Sequence, residues 1–218
     1  PEFSATVERL IINPDWNVPK SIAYKDILPK LKQDPGFLEK RNLRVLSGWG
    51  LPRVEVSQDE LDYERFYRGA DYYRFWEPPG KGNTLGQMKF QLSSDNSIYL
   101  HDTQQKYLFE NEKRAYSSGC IRLEKPRKLA NALIQIANQW APDLLDPLFE
   151  DEETITLRLH KPVPVHVTYW TAWLDKKGVL HFADDLYQRD TVDFAAMQAA
   201  QQQVGMAGDW LKTVQVDN

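Results

Sequence analysis

The chain has 218 residues, a formal net charge of −4 and a pI near 5.6, which argues against a nucleic-acid footprint. No apolar run approaches the roughly 18–20 residues needed to cross a bilayer, so no membrane segment is expected. Hydrophobic residues at 42% supply a core, and 12% aromatics leave surface for a groove suited to a sugar or a peptide.

Pro1-Glu2-Phe3 reads as a residual expression-vector scar, and nothing after it resembles a signal peptide. The expectation is a fragment lacking its targeting segment and neighbouring domains. Thr6 to Ile12 has strand character and ends at Asn13-Pro14-Asp15. Ser21 to Lys32 carries apolar residues at helical spacing, with Pro29 as a kink. A second short helix follows Asp34-Pro35-Gly36, then a strand at Arg44 to Leu46 and a charged helical piece at Ser57 to Phe66. Residues 20–75 therefore read as a small helical insertion.

Tyr72 to Trp76 is strand-like, and the turn Gly80 to Gly86 leads into a strand at Gln87 to Leu92. The next strand, Ile98 to His101, places Tyr99 and His101 on one face and Ile98 with Leu100 on the other. A charged connection leads to Ser117-Ser118-Gly119-Cys120-Ile121-Arg122. The helix that follows starts at Pro126, with Leu129, Ala130, Leu133, Ile136, Ala137 and Trp140 on its apolar stripe. Strands are expected at Thr154 to Leu159, Val163 to Trp173 and Val179 to Phe182, with a turn at Asp175 to Gly178 and a helical tail from Asp190 to about Val204.

The chemistry concentrates around the single cysteine. Cys120 lies 19 positions after His101, and a cysteine with a histidine base is the minimum set for covalent thiol catalysis. A buried, inert thiol is the alternative. Ser117-Ser118-Gly119 lets the backbone pass closely and offers unencumbered N–H groups, and a helix begins a few residues on. Asp102 can fix the imidazole tautomer by its carboxylate or by its main-chain carbonyl. The rival use of His101, Asp102 and Cys120 is a zinc site completed by His160, His166 or His181. The metal spacings that mark such sites are missing, so neither a metal nor a cofactor is expected.

His101-Asp102-Thr103 followed by Ser117-Ser118-Gly119-Cys120-Ile121-Arg122 resembles the active-site motif of the L,D-transpeptidases, the YkuD-type catalytic domains. Thr84-Leu85-Gly86-Gln87-Met88-Lys89-Phe90 is similar to that family's upstream turn and strand. Serine at 118, where most of the family has histidine, and the inserted lobe resemble the larger YcbB-like members, in which a capping subdomain interrupts the catalytic domain.

The resemblance implies an α/β (α+β) fold: a mixed, β-sandwich-like catalytic domain at 4–19 and 76–218, with a helical capping insertion at 20–75. It implies Cys120 as nucleophile, His101 as base and Asp102 as orienting group. Gly119 and Ser118 would serve the oxyanion, and Tyr99 and Arg122 the substrate, although Arg122 is equally readable as structural. The implied reaction is acyl transfer from a peptidoglycan tetrapeptide stem to a second stem, giving a 3→3 cross-link in the periplasm or cell envelope. Carbapenem β-lactams are the implied covalent inhibitors. Two alternatives use the same stretch: a hydrolase (an L,D-carboxypeptidase, or one cutting peptidoglycan–protein links), and a non-catalytic wall-binding module.

Overall fold

A computed structural model describes residues 2–47, 54–62, 73–93, 98–150, 153–190 and 196–199. The described residues between Phe3 and His166 form one compact unit, and Glu2 with the described residues from Val167 forms a second. The fold is mixed α/β, with several β-sheets and helices.

In the first unit a five-stranded sheet runs in the order β8-β7-β6-β1-β9. Its strands are β1 (Phe3–Ile12), β6 (Met88–Leu92), β7 (Leu100–His101), β8 (Ile121–Arg122) and β9 (Ile155–Val167). β1 and β6 pair antiparallel, as do β6 and β7, whereas β7 and β8 run parallel. Met88, Phe90 and Leu92 are buried at alternate positions of β6, and Lys89 and Gln91 between them are half-buried on the opposite face.

Helix α4 (Pro126–Asn138) covers the face bearing Met88 and Phe90. Ala130, Leu133, Ile134 and Ala137 meet Val7, Leu10, Phe90 and Leu100 there. Pro126 occupies the first turn, where its missing N–H costs nothing. The expected stripe is corrected at one position: Ile134 is fully buried and Ile136 is 68% exposed. Counted from Ala130, the face recurs at i, i+3, i+4 and i+7, which excludes 136.

A second sheet has the order β2-β5-β3-β4, with β2 (Trp16–Asn17), β3 (Arg44–Ser47), β4 (Val54–Val56) and β5 (Tyr73–Glu77). Between β2 and β3 lie α1 (Lys20–Ile22), a π-helical turn at Ala23–Ile27, α2 (Leu28–Gln33) and α3 (Phe37–Lys40). The kink expected at Pro29 takes the form of that π turn. Proline lacks the N–H that an unbroken helix would use, and the turn just upstream absorbs the missing bond. The stretch around 20–77 thus holds strands as well as helices. A second core of Val18, Leu28, Leu31, Val45, Phe75 and Leu85 joins them, and Tyr99 belongs to it. Of the helical piece expected at 57–66, a 3₁₀ turn at Gln58–Glu60 is present, and 63–66 lie outside the described residues.

β9 corrects the expected strand boundaries. One strand runs from Ile155 to Val167 through Pro162 and Pro164. It is an edge strand, where a residue without a donor is tolerated. In the second unit β10 (Ala172–Leu174) and β11 (Leu180–Phe182) form a hairpin, with Trp173 stacked on His181. Within the tail, 196–199 are helical, and 191–195 and everything from 200 onward lie outside the described residues.

Candidate active site

Strand pairing builds the site. In the β6–β7 register Lys89 faces His101, and in the β7–β8 register His101 faces Arg122. The Ile121 N–H donates to Tyr99 O at 3.1 Å and the Leu123 N–H to His101 O at 2.8 Å, which sets Cys120 beside Tyr99. Leu100 turns into the core under α4. Tyr99 and His101 turn the other way, as alternation requires, with ring centroids 5.8 Å apart.

That face opens into a cleft of about 550 Å³. His101, Cys120, Tyr99, Ser118, Gly119 and Arg122 all line it. The opposite wall comes from the helical segment, including Ile22, Ile27, Lys30 and Phe37. Cys120 is half-buried and unpaired with any other cysteine. Gly119 has a φ of +141°, a conformation that side-chain-bearing residues rarely adopt, so glycine is needed for the chain to turn into Cys120. The Gly119 N–H donates to Ser117 Oγ at 3.3 Å.

His101 is buried, and its Nδ1 lies 2.5 Å from Asp102 O. A carbonyl oxygen only accepts, so Nδ1 carries the proton and Nε2 keeps its lone pair. Burial lowers the imidazole pKa from the ordinary 6.5 to about 4. The bond to Asp102 O opposes that shift, and the Arg122 charge adds to it. His101 is therefore neutral at pH 7 and able to accept a proton at Nε2.

The Asp102 side chain goes elsewhere. Its carboxylate accepts the Gln87 N–H at 2.9 Å and pairs with Lys106 Nζ at 2.5 Å. It lines a separate recess of about 320 Å³ together with Lys106 and Pro126. Of the two routes the sequence leaves open, the carbonyl is the group in contact with the imidazole. Gly86 makes room for this arrangement: at φ +64°, a Cβ placed there would lie 2.4 Å from Asp102 Oδ2.

Two residues beside Tyr99 are not singled out by the sequence. Trp16 Nε1 donates to the Tyr99 hydroxyl at 3.1 Å, and burial pushes the Tyr99 pKa up. Lys89 Nζ sits 4.2 Å from the Tyr99 ring centroid, and burial lowers the lysine's pKa. A lone lysine between Met88 and Phe90 is the trace it leaves in the sequence, readable only once the register is known. Arg122 donates to Gln105 Oε1 at 2.9 Å and also lines the cleft, so it braces the connection and charges the site at once.

Each histidine of the zinc alternative has its own neighbour: His160 packs against Trp140, His166 is hydrogen-bonded to Ser4, and His181 to Asp175. Among the described residues no group of three or more His, Cys, Asp or Glu is placed to hold a metal. Nor is any described helix long and apolar enough to cross a membrane.

Residues 1–144 match the YkuD family, described as an L,D-transpeptidase catalytic domain. Over 184 residues the chain is 31% identical to a Haemophilus influenzae protein named "Putative L,D-transpeptidase". That match takes in 84% of this chain and 36% of the relative, so the chain spans little more than a third of the relative's length.

Proposed function

The chain belongs to the YkuD family of L,D-transpeptidase catalytic domains, and from that premise we propose that it is a cysteine acyltransferase making 3→3 peptidoglycan cross-links. The observation that carries the reading is that Cys120 and His101 line one cleft, with His101 Nδ1 engaged by Asp102 O. His101 Nε2 takes the thiol proton, and the Cys120 sulfur attacks the diaminopimelate carbonyl of a tetrapeptide stem. The negative oxygen of the tetrahedral intermediate lies against N–H groups near Gly119 and Cys120, where one such donor is typically worth on the order of 10²–10³ in rate. As the intermediate collapses, the proton on His101 passes to the departing D-alanine nitrogen, leaving a thioester. A side-chain amine of a second stem attacks that thioester, gives its proton to His101 and releases Cys120.

In this reading Asp102 orients the base through its carbonyl, and Ser118, Tyr99 and Arg122 contact the substrate. Residues 20–75 act as the inserted cap of the YcbB-like class, on a catalytic domain at 4–19 and 76–218. A wall built from the helical segment limits water around the thioester, which favours the amine over hydrolysis. A carbapenem presents a strained amide to the same sulfur and acylates it. The place of action is the periplasm or cell envelope, where stem peptides are found.

Intact-mass spectrometry after incubation with a carbapenem is the test. A one-to-one adduct is expected, lost in Cys120→Ala and slowed in His101→Ala. Stem peptides with an added acceptor amine should then give the cross-linked product. Folded protein that forms neither adduct nor cross-link would sink the reading, and hydrolysis alone in the presence of amine would make the protein a carboxypeptidase.

A further inference from the structure

The helical wall of the cleft carries charge that the protein does not use itself. Asp26 and Lys30 both line the cavity, and among the described residues neither forms an ion pair or a side-chain hydrogen bond. The contact that Lys30 does make is with the Phe37 ring, whose centroid lies 5.9 Å from its Nζ. On an unbroken α-helix an acid and a base four residues apart are neighbours and tend to pair. Here the π turn at Ala23–Ile27, closed by the Leu28 N–H donating to Ala23 O, widens the spacing between them. Asp26 is half-buried, and a carboxylate drawn out of water without a partner is costly. The arrangement favours a ligand that supplies the partner.

The surroundings say what kind of ligand. Ile22, Ile27 and Phe37 line the same wall, so the two charges are set beside an apolar strip. Opposite charges that do not touch can be bridged by one carbon bearing both an ammonium and a carboxylate. The apolar strip suits a short run of methylenes leading to that carbon. The diaminopimelate side chain of a tetrapeptide stem is such a group. Its end groups take no part in the attack of Cys120 on the acyl carbonyl of the same residue, so they are free to be held.

We propose that Asp26 and Lys30 are the specificity site for the donor's diaminopimelate side chain. Asp26 accepts from its ammonium, Lys30 donates to its carboxylate, and the methylenes lie on Ile22, Ile27 and Phe37. The inference rests on the stem-peptide reading of the cleft and deepens it. Arg41 and Arg122 also line the cleft, but each donates to a neighbour, Thr84 Oγ1 at 3.4 Å and Gln105 Oε1 at 2.9 Å. Among the described residues Lys30 is the cleft cation whose ammonium has no hydrogen-bond acceptor.

The experiment is calorimetric titration of the whole chain, carrying Cys120→Ala so that nothing turns over. Three synthetic tetrapeptide stems are compared: the diaminopimelate stem, the same stem with its side-chain carboxyl amidated, and the same stem with its side-chain amine acetylated. The unmodified stem should bind about three- to tenfold more tightly than either modified one. Lys30→Met should weaken the unmodified stem by that factor and leave the amidated stem unchanged. Asp26→Asn should do the same to the unmodified stem and leave the acetylated stem unchanged. A defect in folding or in the shape of the wall moves all three stems alike, so that result would overturn the proposal. Variants that bind every stem as the parent does would overturn it too, as would a parent that binds none of the three. Binding needs no chemistry: charge-selective binding without adduct or cross-link would remove the transpeptidase reading and leave this site standing. Cross-linking by a protein that does not discriminate among the stems would do the reverse.

Discussion

Replacing His101 by glutamine should flatten the acid limb of the stability curve. In the native state the imidazole is buried and its pKa is pushed down to about 4, against 6.5 when unfolded. As pH falls below 6.5 the unfolded chain binds a proton at this position, and the native state refuses it until about pH 4. Stability contributed by His101 is therefore lost across that window as pH falls. At about 1.4 kcal/mol per pH unit the loss totals about 3 kcal/mol, a large share of the roughly 5–15 kcal/mol that holds an ordinary domain together.

Urea unfolding followed by tryptophan fluorescence, run from neutral pH down toward pH 4, measures this directly. Carboxylates elsewhere titrate in both proteins, so the difference between parent and His101→Gln isolates the imidazole. The parent should lose about 3 kcal/mol more than the variant over the window. The acid limb of acylation in the parent should sit near pH 4, because protonated His101 cannot accept the thiol proton. Equal losses in the two proteins, with an acid limb near 6.5, would mean that His101 titrates as if exposed, and the neutral-base argument would fail.

Two further outcomes follow from the other face of β7. Asp102→Asn keeps the carbonyl that touches His101 and weakens the Lys106 ion pair, so stability should fall by about 1–3 kcal/mol while acylation stays within about tenfold of the parent. A fall of about 10⁴ in acylation rate, typical when a carboxylate orients the base, would refute the carbonyl assignment. Gly86→Ala meets both a φ of +64° and the Asp102 carboxyl, and should cost about 2–4 kcal/mol in urea unfolding. An unchanged midpoint would show that the turn yields to the new methyl group.

The sequence reveals what depends on local pattern. Alternation at 99–101 correctly divides Leu100 from Tyr99 and His101, and the α4 stripe is right apart from the exchange of Ile136 for Ile134. Features that depend on register or on distant partners are hidden. Lys89 comes to lie over the Tyr99 ring because β6 pairs with β7 in one particular register, and Trp16 reaches Tyr99 across 83 residues of chain. The continuity of β9 through two prolines was illegible because edge position is a property of the sheet, not of the segment. The strands at 44–47 and 73–77 are visible one by one, yet nothing local says that they join 16–17 and 54–56 in one sheet.

Asp102 shows how frame and chemistry are joined in one residue. Its carbonyl sets the His101 tautomer on the cleft side, and its carboxylate anchors the Gln87 N–H and Lys106 on the other. Lys106 also donates to Leu123 O and Glu124 O, the two residues that follow β8. One ammonium thus clamps the exit of β7 to the exit of β8, the strand that begins immediately after Cys120. β7, which carries His101, and β8, which follows Cys120, are paired over only two residues, too short a ladder to fix their spacing alone. The clamp supplies the missing rigidity from outside the cleft, on the side of β7 away from His101.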